Sequence, residues 1–194
     1  MKNIIYIFGT RPEAIKLAPL IRQMKLSDTL NPVICSTGQH REMLRQVLDF
    51  FDIDLDYDLD IMKQNQKLSE LTANILLGLE PIMSDAKPDL VIVQGDTTTS
   101  FVGTLMAYYQ RVPVAHVEAG LRSGNLYSPF PEEGNRIIAT HLSSFHFAPT
   151  TNARENLLRE GVSKEKIHVV GNTVIDALFM GLNKTQEMKI ESID

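Results

Sequence analysis

The sequence predicts an α/β domain built on a doubly wound parallel sheet with helices on both faces. Three observations carry that prediction. Short apolar runs alternate with segments of helical period almost from end to end. Loops that combine Gly with charge or hydroxyl follow the predicted strands repeatedly. At 194 residues and 43% apolar content, the chain suits one ordinary domain that buries roughly two-thirds of its unfolded surface.

The elements follow in order. Residues 3–8 read as a buried strand and 12–25 as a helix with Ile15, Leu17, Leu20, Ile21 and Met24 toward the core. Pro19, inside that helix, should kink it or mark a later start. Residues 32–36 are a second strand, followed by a helix over 41–51. In 52–60 an aspartate stands at every even position, alternating with Ile53, Leu55, Tyr57 and Leu59. That alternation predicts an edge strand with one solvated and one buried face, since no register supplies the Gly and Glu of an EF-hand. A long helix over 68–83 carries Leu68, Leu71, Ile75, Leu76 and Leu79 on one stripe. Strands at 90–94, 114–117, 145–148 and 167–170 then alternate with helices at 98–111, 132–142 and 151–160, the last stopped by Gly161. The tail at 184–194 is polar with little to bury.

Composition narrows the function classes. One cysteine, Cys35, excludes an internal disulfide framework and a multi-Cys zinc site. A net charge of -5 argues against general nucleic-acid binding but not against an anionic small molecule held by a few arginines. No small-residue cleavage site follows the short apolar start, and no stretch approaches the roughly 20 apolar residues of a membrane span. We therefore expect a soluble cytoplasmic protein without membrane or nucleic-acid partners.

Open parallel sheets bind ligands at the carboxyl ends of their strands. Four loops there hold the unusual residues: Gly9-Thr10-Arg11-Pro12-Glu13 with Lys16 behind it, Thr37-Gly38-Gln39-His40-Arg41, Gly95-Asp96-Thr97-Thr98-Thr99, and Glu118-Ala119-Gly120-Leu121-Arg122-Ser123-Gly124. Singly, the first is also readable as a tight turn with Pro at the first helical position, and the third as helix capping. His116 and Glu118 share a strand face in the H-x-E spacing of zinc deaminases, but no Cys pair follows. His116 then packs or orients a carboxylate. His40 is readable as a surface residue or a ligand contact, and His141, His146 and His168 as structural.

The dinucleotide G-x-G-x-x-G, the P-loop and the G-x-S-x-G elbow are all absent. What remains is a carboxylate set (Glu13, Asp96, Glu118, and Glu132 or Glu133) mixed with the cations Arg11, Lys16, Arg122 and Arg136. Carboxylates suit proton transfer, and arginines with helix N-termini suit a departing phosphate or diphosphate. Together they suggest proton abstraction coupled to loss of a phosphorylated leaving group.

Phe8–Lys16, Gln94–Thr99, His116–Gly124, Tyr127–Arg136 and Gly171–Ala177 resemble the non-hydrolysing UDP-N-acetylglucosamine 2-epimerases. The resemblance covers nearly the whole chain. It implies a GT-B-type two-domain fold, with residues 1–170 as the Rossmann-like N-terminal domain and 171–194 as a hinge and the start of a second domain. It further implies interconversion of UDP-GlcNAc and UDP-ManNAc without cofactor or metal, for polysaccharide biosynthesis. In that scheme UDP leaves by anti elimination through 2-acetamidoglucal and is added back.

Carried over position by position, Asp96, Glu118 and Glu132 are catalytic, and Arg11, Lys16 and Arg136 bind substrate. The segment with Gln39, His40 and Met43 resembles a site for an activating UDP-GlcNAc, although an arginine that often accompanies that site is replaced by Asn74. The full-length enzyme is expected to be a homodimer. The family's second half supplies a catalytic histidine and much of the UDP pocket, so the 194-residue chain alone is expected to be inactive. The alternatives are a hydrolysing or diacetamido-uronate 2-epimerase, and a half-domain that binds a nucleotide sugar without catalysis.

Overall fold

β1 (Lys2–Phe8) is the central strand, and Ile4 through Phe8 are almost wholly excluded from solvent. Its side chains alternate between two cores, which is what a strand covered on both faces requires. Ile4, Tyr6 and Phe8 pack against Leu17 and Ile21 of α1 (Arg11–Lys25) and Leu44 and Leu48 of α2 (Arg41–Phe50). Ile5 and Ile7 face the other way, toward Ile75 and Leu79 of α3 (Leu68–Ala86) and Val102 and Met106 of α4 (Thr98–Tyr109). The computed structural model describes residues 1–38, 41–61 and 66–187.

The remaining elements are β2 (Leu30–Ser36), β3 (Tyr57–Asp58), β4 (Leu90–Gln94), β5 (Val114–Val117), α5 (Glu132–Leu142), β6 (Phe145–Ala148), α6 (Thr151–Arg159), β7 (Ile167–Val169) and α7 (Val174–Glu187). Among the described residues the strands form one seven-stranded sheet, all pairs parallel, in the order β3-β2-β1-β4-β5-β6-β7. This is the doubly wound, Rossmann-like architecture expected from the alternation of runs and periods. Among the described residues no helix is long and apolar enough to cross a membrane.

Three local expectations need correction. Pro19 neither delays nor ends α1, which begins at Arg11 because Thr10 and Glu13 form a reciprocal capping box. The aspartate alternation over 52–60 yields only the two-residue β3, because Asp52 and Asp60 take left-handed φ values of 55° and 43° that break an extended run. Asp56 instead turns its carboxylate onto the amide of Ile34 at 2.7 Å, tying the segment to β2. Beyond residue 170 the sequence reading placed no helix, yet 174–187 form α7, which packs on α1. Lys184 near its end donates to Phe50 O at 2.7 Å and to Asp52 Oδ2 at 2.6 Å.

Candidate active site

The order of the sheet reverses between β1 and β4, so their following loops diverge to opposite faces and leave a crevice at the carboxyl ends. A hollow of about 500 Å³ lies there. Thr10, Arg11 and Lys16 come to it from the first turn region of α1, Gly95, Asp96 and Thr97 from the β4–α4 loop, and Glu118 from the end of β5. Thr10 and Thr97 are the N-caps of α1 and α4, so two helix N-termini border one hollow. Their partial positive charge, with Arg11 and Lys16, favours an anion.

Glu13 joins the two caps. Its Oε2 accepts from Gly9 N at 3.0 Å and Thr10 N at 2.7 Å, and its Oε1 accepts from the Thr97 hydroxyl at 2.7 Å. Complete burial pushes its carboxyl up from the ordinary range, and these hydrogen bonds only partly oppose that. Glu13 therefore serves as the internal brace of the site.

Glu118 is held differently. Lys16 Nζ lies 2.8 Å from both of its carboxylate oxygens, and Asn172 Nδ2 donates to Oε2 at 2.9 Å. Its backbone φ is 64°, a left-handed conformation that costs a non-glycine residue roughly 1–3 kcal/mol. Such strain persists only where surroundings over-determine it, and it aims this carboxylate at the hollow. His116, two residues earlier and buried, contacts Gly95 O through Nε2 at 2.6 Å. Burial pushes this imidazole down to about 4, so it is neutral near pH 7; because a carbonyl only accepts, Nε2 carries the proton. The contact fixes the turn that presents Asp96.

Arg136 bridges two acids: its NH2 group pairs with Asp96 Oδ2, and its NH1 group donates to Glu133 Oε2 at 2.9 Å. Burial alone would push the Glu133 carboxyl up. The Ser123 and Gly124 amides, with Arg136 and Arg122, outweigh that and hold it below the usual carboxylate range. Asn135 Nδ2 also donates to Asp96 O at 2.9 Å, so α5 grips the Asp96 loop twice.

The expected site residues are thus distributed unevenly. Arg11, Lys16, Asp96, Glu118 and Met43 line the hollow. Arg136 reaches it through Asp96. Arg11 makes no hydrogen bond or ion pair within the described residues, and it also lines an adjoining, largely apolar hollow of about 510 Å³ between α1, α2 and α7. Glu132, the first residue of α5, does not line the first hollow, and its Oε2 is buried with no hydrogen-bond partner among the described residues. Arg122 is committed elsewhere, to both oxygens of Glu160 at 2.7 Å. Gln39 and His40 lie outside the described residues. Asn172 was not singled out by sequence reasoning: its partner Glu118 is 54 positions away, and no local pattern reports such a contact. The bracing role of Glu13 had a signal, the T-x-x-E capping pattern from Thr10.

Known proteins resemble the chain over nearly its whole length. A family model described as UDP-N-acetylglucosamine 2-epimerase matches residues 22–193. The chain is similar to the UDP-N-acetylglucosamine 2-epimerase of Yersinia pestis, 56% identical over 177 residues, with 91% of this chain and 47% of that protein covered. It is similar to the crystal structure of UDP-GlcNAc 2-epimerase from Neisseria meningitidis bound to UDP-GlcNAc, at 54% identity and a TM-score of 0.92, over 96% of this chain and 50% of that one. The Methanocaldococcus jannaschii UDP-GlcNAc 2-epimerase in complex with UDP-GlcNAc and UDP superposes with a TM-score of 0.90 at 40% identity, over 97% and 51%. The chain spans about half the length of the curated relatives it matches.

Proposed function

The chain belongs to the UDP-N-acetylglucosamine 2-epimerase family, and from that premise we propose that it forms the N-terminal half of a non-hydrolysing enzyme interconverting UDP-GlcNAc and UDP-ManNAc. In this reading residues 1–170 are one domain and 171–194 lead into the second. The enzyme works in the cytoplasm as a homodimer and needs neither metal nor nicotinamide.

The chemistry has two linked demands. The C2 hydrogen of the sugar is not beside a carbonyl, so a base alone removes it poorly, and cleavage of the C1–O bond has to share the work. Positive groups in a dry cleft ease that cleavage by meeting the charge that gathers on the departing diphosphate. Arg11, Lys16 and the N-termini of α1 and α4 take that part. Inversion at C2 needs proton access to both faces of the sugar, which calls for more than one carboxyl group. Asp96, Glu118 and Glu132 are the acid and base candidates, and Glu132 Oε2 is buried with no hydrogen-bond partner among the described residues. Arg136 acts on substrate through Asp96.

The observation that carries this reading is the meeting of Lys16, Glu118, Asp96 and Arg11 around one hollow at the switch point of the sheet. The test supplies the second half carried by the relatives, incubates UDP-GlcNAc in deuterated water and reads C2 by NMR. Deuterium at C2 of UDP-ManNAc, lost with Glu118→Gln or Asp96→Asn, is expected. Release of free ManNAc would mark a hydrolysing enzyme, and binding without exchange would mark a non-catalytic half. The 194-residue chain alone should show no turnover.

A further inference from the structure

The segment between β7 and α7 reaches into the site. Gly171 takes φ 81°, and Asn172 follows with a side chain whose two ends have different partners. Its Oδ1 accepts from Val174 N at 3.1 Å, and its main-chain oxygen accepts from Ile175 N at 3.1 Å, so Asn172 forms the turn that leads into α7. Its Nδ2 donates to Glu118 Oε2 at 2.9 Å. This turn needs only the side-chain oxygen, which Asp supplies equally and Ser or Thr more weakly. What Asn offers beyond them is an N–H donor, and here that donor meets the strained Glu118.

The two grips on Glu118 differ in kind. Lys16 is a compact charge on a flexible stem that neutralises the carboxylate without fixing its plane. The Asn172 amide is planar, and its oxygen is already tied to the start of α7. We infer that Asn172 is a positioning residue that sets the orientation of the Glu118 carboxylate and couples it to the placement of α7. Displacing α7 from α1 would withdraw the amide and leave Glu118 to Lys16 alone. The inference rests on the role proposed above for Glu118.

The test compares Asn172→Ser, which keeps an oxygen for the turn but is too short to reach Glu118, with Asn172→Ala, which loses both. In the 194-residue chain, side-chain NMR relaxation of isotope-labelled glutamate should show Glu118 more mobile in both variants. Amide exchange at Val174 should rise only in the alanine variant. A Glu118 side chain as rigid in Asn172→Ser as in the parent overturns the inference. With the second half supplied, Asn172→Ser should lower kcat at least 10-fold while KM for UDP-GlcNAc stays within twofold. Full kcat in Asn172→Ser, where Glu118→Gln abolishes turnover, also overturns it. Turnover that survives Glu118→Gln sinks the functional reading instead, and the relaxation result then stands by itself.

Discussion

The Thr97 hydroxyl donates to Oε1 of Glu13 over 2.7 Å, joining the turn after β4 to the turn after β1. The same hydroxyl oxygen accepts from Ser100 N at 3.0 Å, so one atom both caps α4 and braces the site. Thr97→Val should therefore destabilise the chain by about 1–3 kcal/mol, the sum of a lost cap and an orphaned carboxylate oxygen. Thr97→Ser should recover most of that. Urea unfolding of the three proteins checks it.

Gly120 and Ala153 make the closest approach around the end of β5. A Cβ on Gly120 would stand 2.3 Å from Ala153 O and 2.9 Å from Leu157 Cγ, and its φ of 87° already disfavours a side chain. The obstacle is backbone, so no rotamer change relieves it. Gly120→Ala should cost on the order of 3 kcal/mol in chemical denaturation, through clash and left-handed strain together. Gly124→Ala, with φ 77° but nothing near its Cβ, should cost about 1 kcal/mol and isolates the conformational part.

His116 and His146 are register partners on β5 and β6, and burial pushes each from 6.5 down to about 4. Between those values the unfolded chain binds more protons than the folded one. The stabilisation is complete above pH 6.5 and drains as pH falls through 4. A shift of that size corresponds to roughly 3 kcal/mol for one histidine. Glu13 acts in the opposite sense, since its raised carboxyl weakens the fold as pH rises past the ordinary carboxylate range. Comparing His146→Gln with the parent at pH 7 and pH 4.5 cancels that contribution. The variant should lose about 2 kcal/mol less over this interval in urea titrations.

Arg136 holds Asp96 and Glu133 at once, and the Glu133 side chain is only 2% exposed. Arg136→Met would leave that acid buried without its cation, at a cost of about 3 kcal/mol. Arg136→Lys should not restore the parent, because an ammonium is a single point and cannot span two carboxylates as a guanidinium fork does. Thermal unfolding reads the stability. With the second half supplied, C2 exchange should fall about 100-fold in both variants, as expected when the group that orients a reacting carboxylate is misplaced.

Much of the fold is legible because its signals are local. β1 reads as a buried strand from six consecutive residues, and the start of α1 from Thr10, Pro12 and Glu13. Where the local signal was overridden, a distant partner did it. The alternation at 52–60 was shortened by the turns at Asp52 and Asp60 and by Asp56 reaching β2. α7 hides in a stretch whose apolar positions count only once Phe50 and α1 are beneath them.

The candidate site divides along the same line. The loops that carry Arg11, Asp96 and Glu118 could be named from Gly and charge at the ends of strands, since a parallel sheet always delivers such loops to one edge. Which side chains grip which could not. Lys16 on Glu118, Arg136 across Asp96 and Glu133, and Asn172 from the far end of the chain are settled by packing. Local sequence thus determined which chemical groups arrive at the sheet edge, because backbone propensity and hydrophobic period act over a few residues. Only the tertiary structure decided which charge is neutralised, braced or left open, because electrostatic pairing depends on distances between segments as far as 132 positions apart.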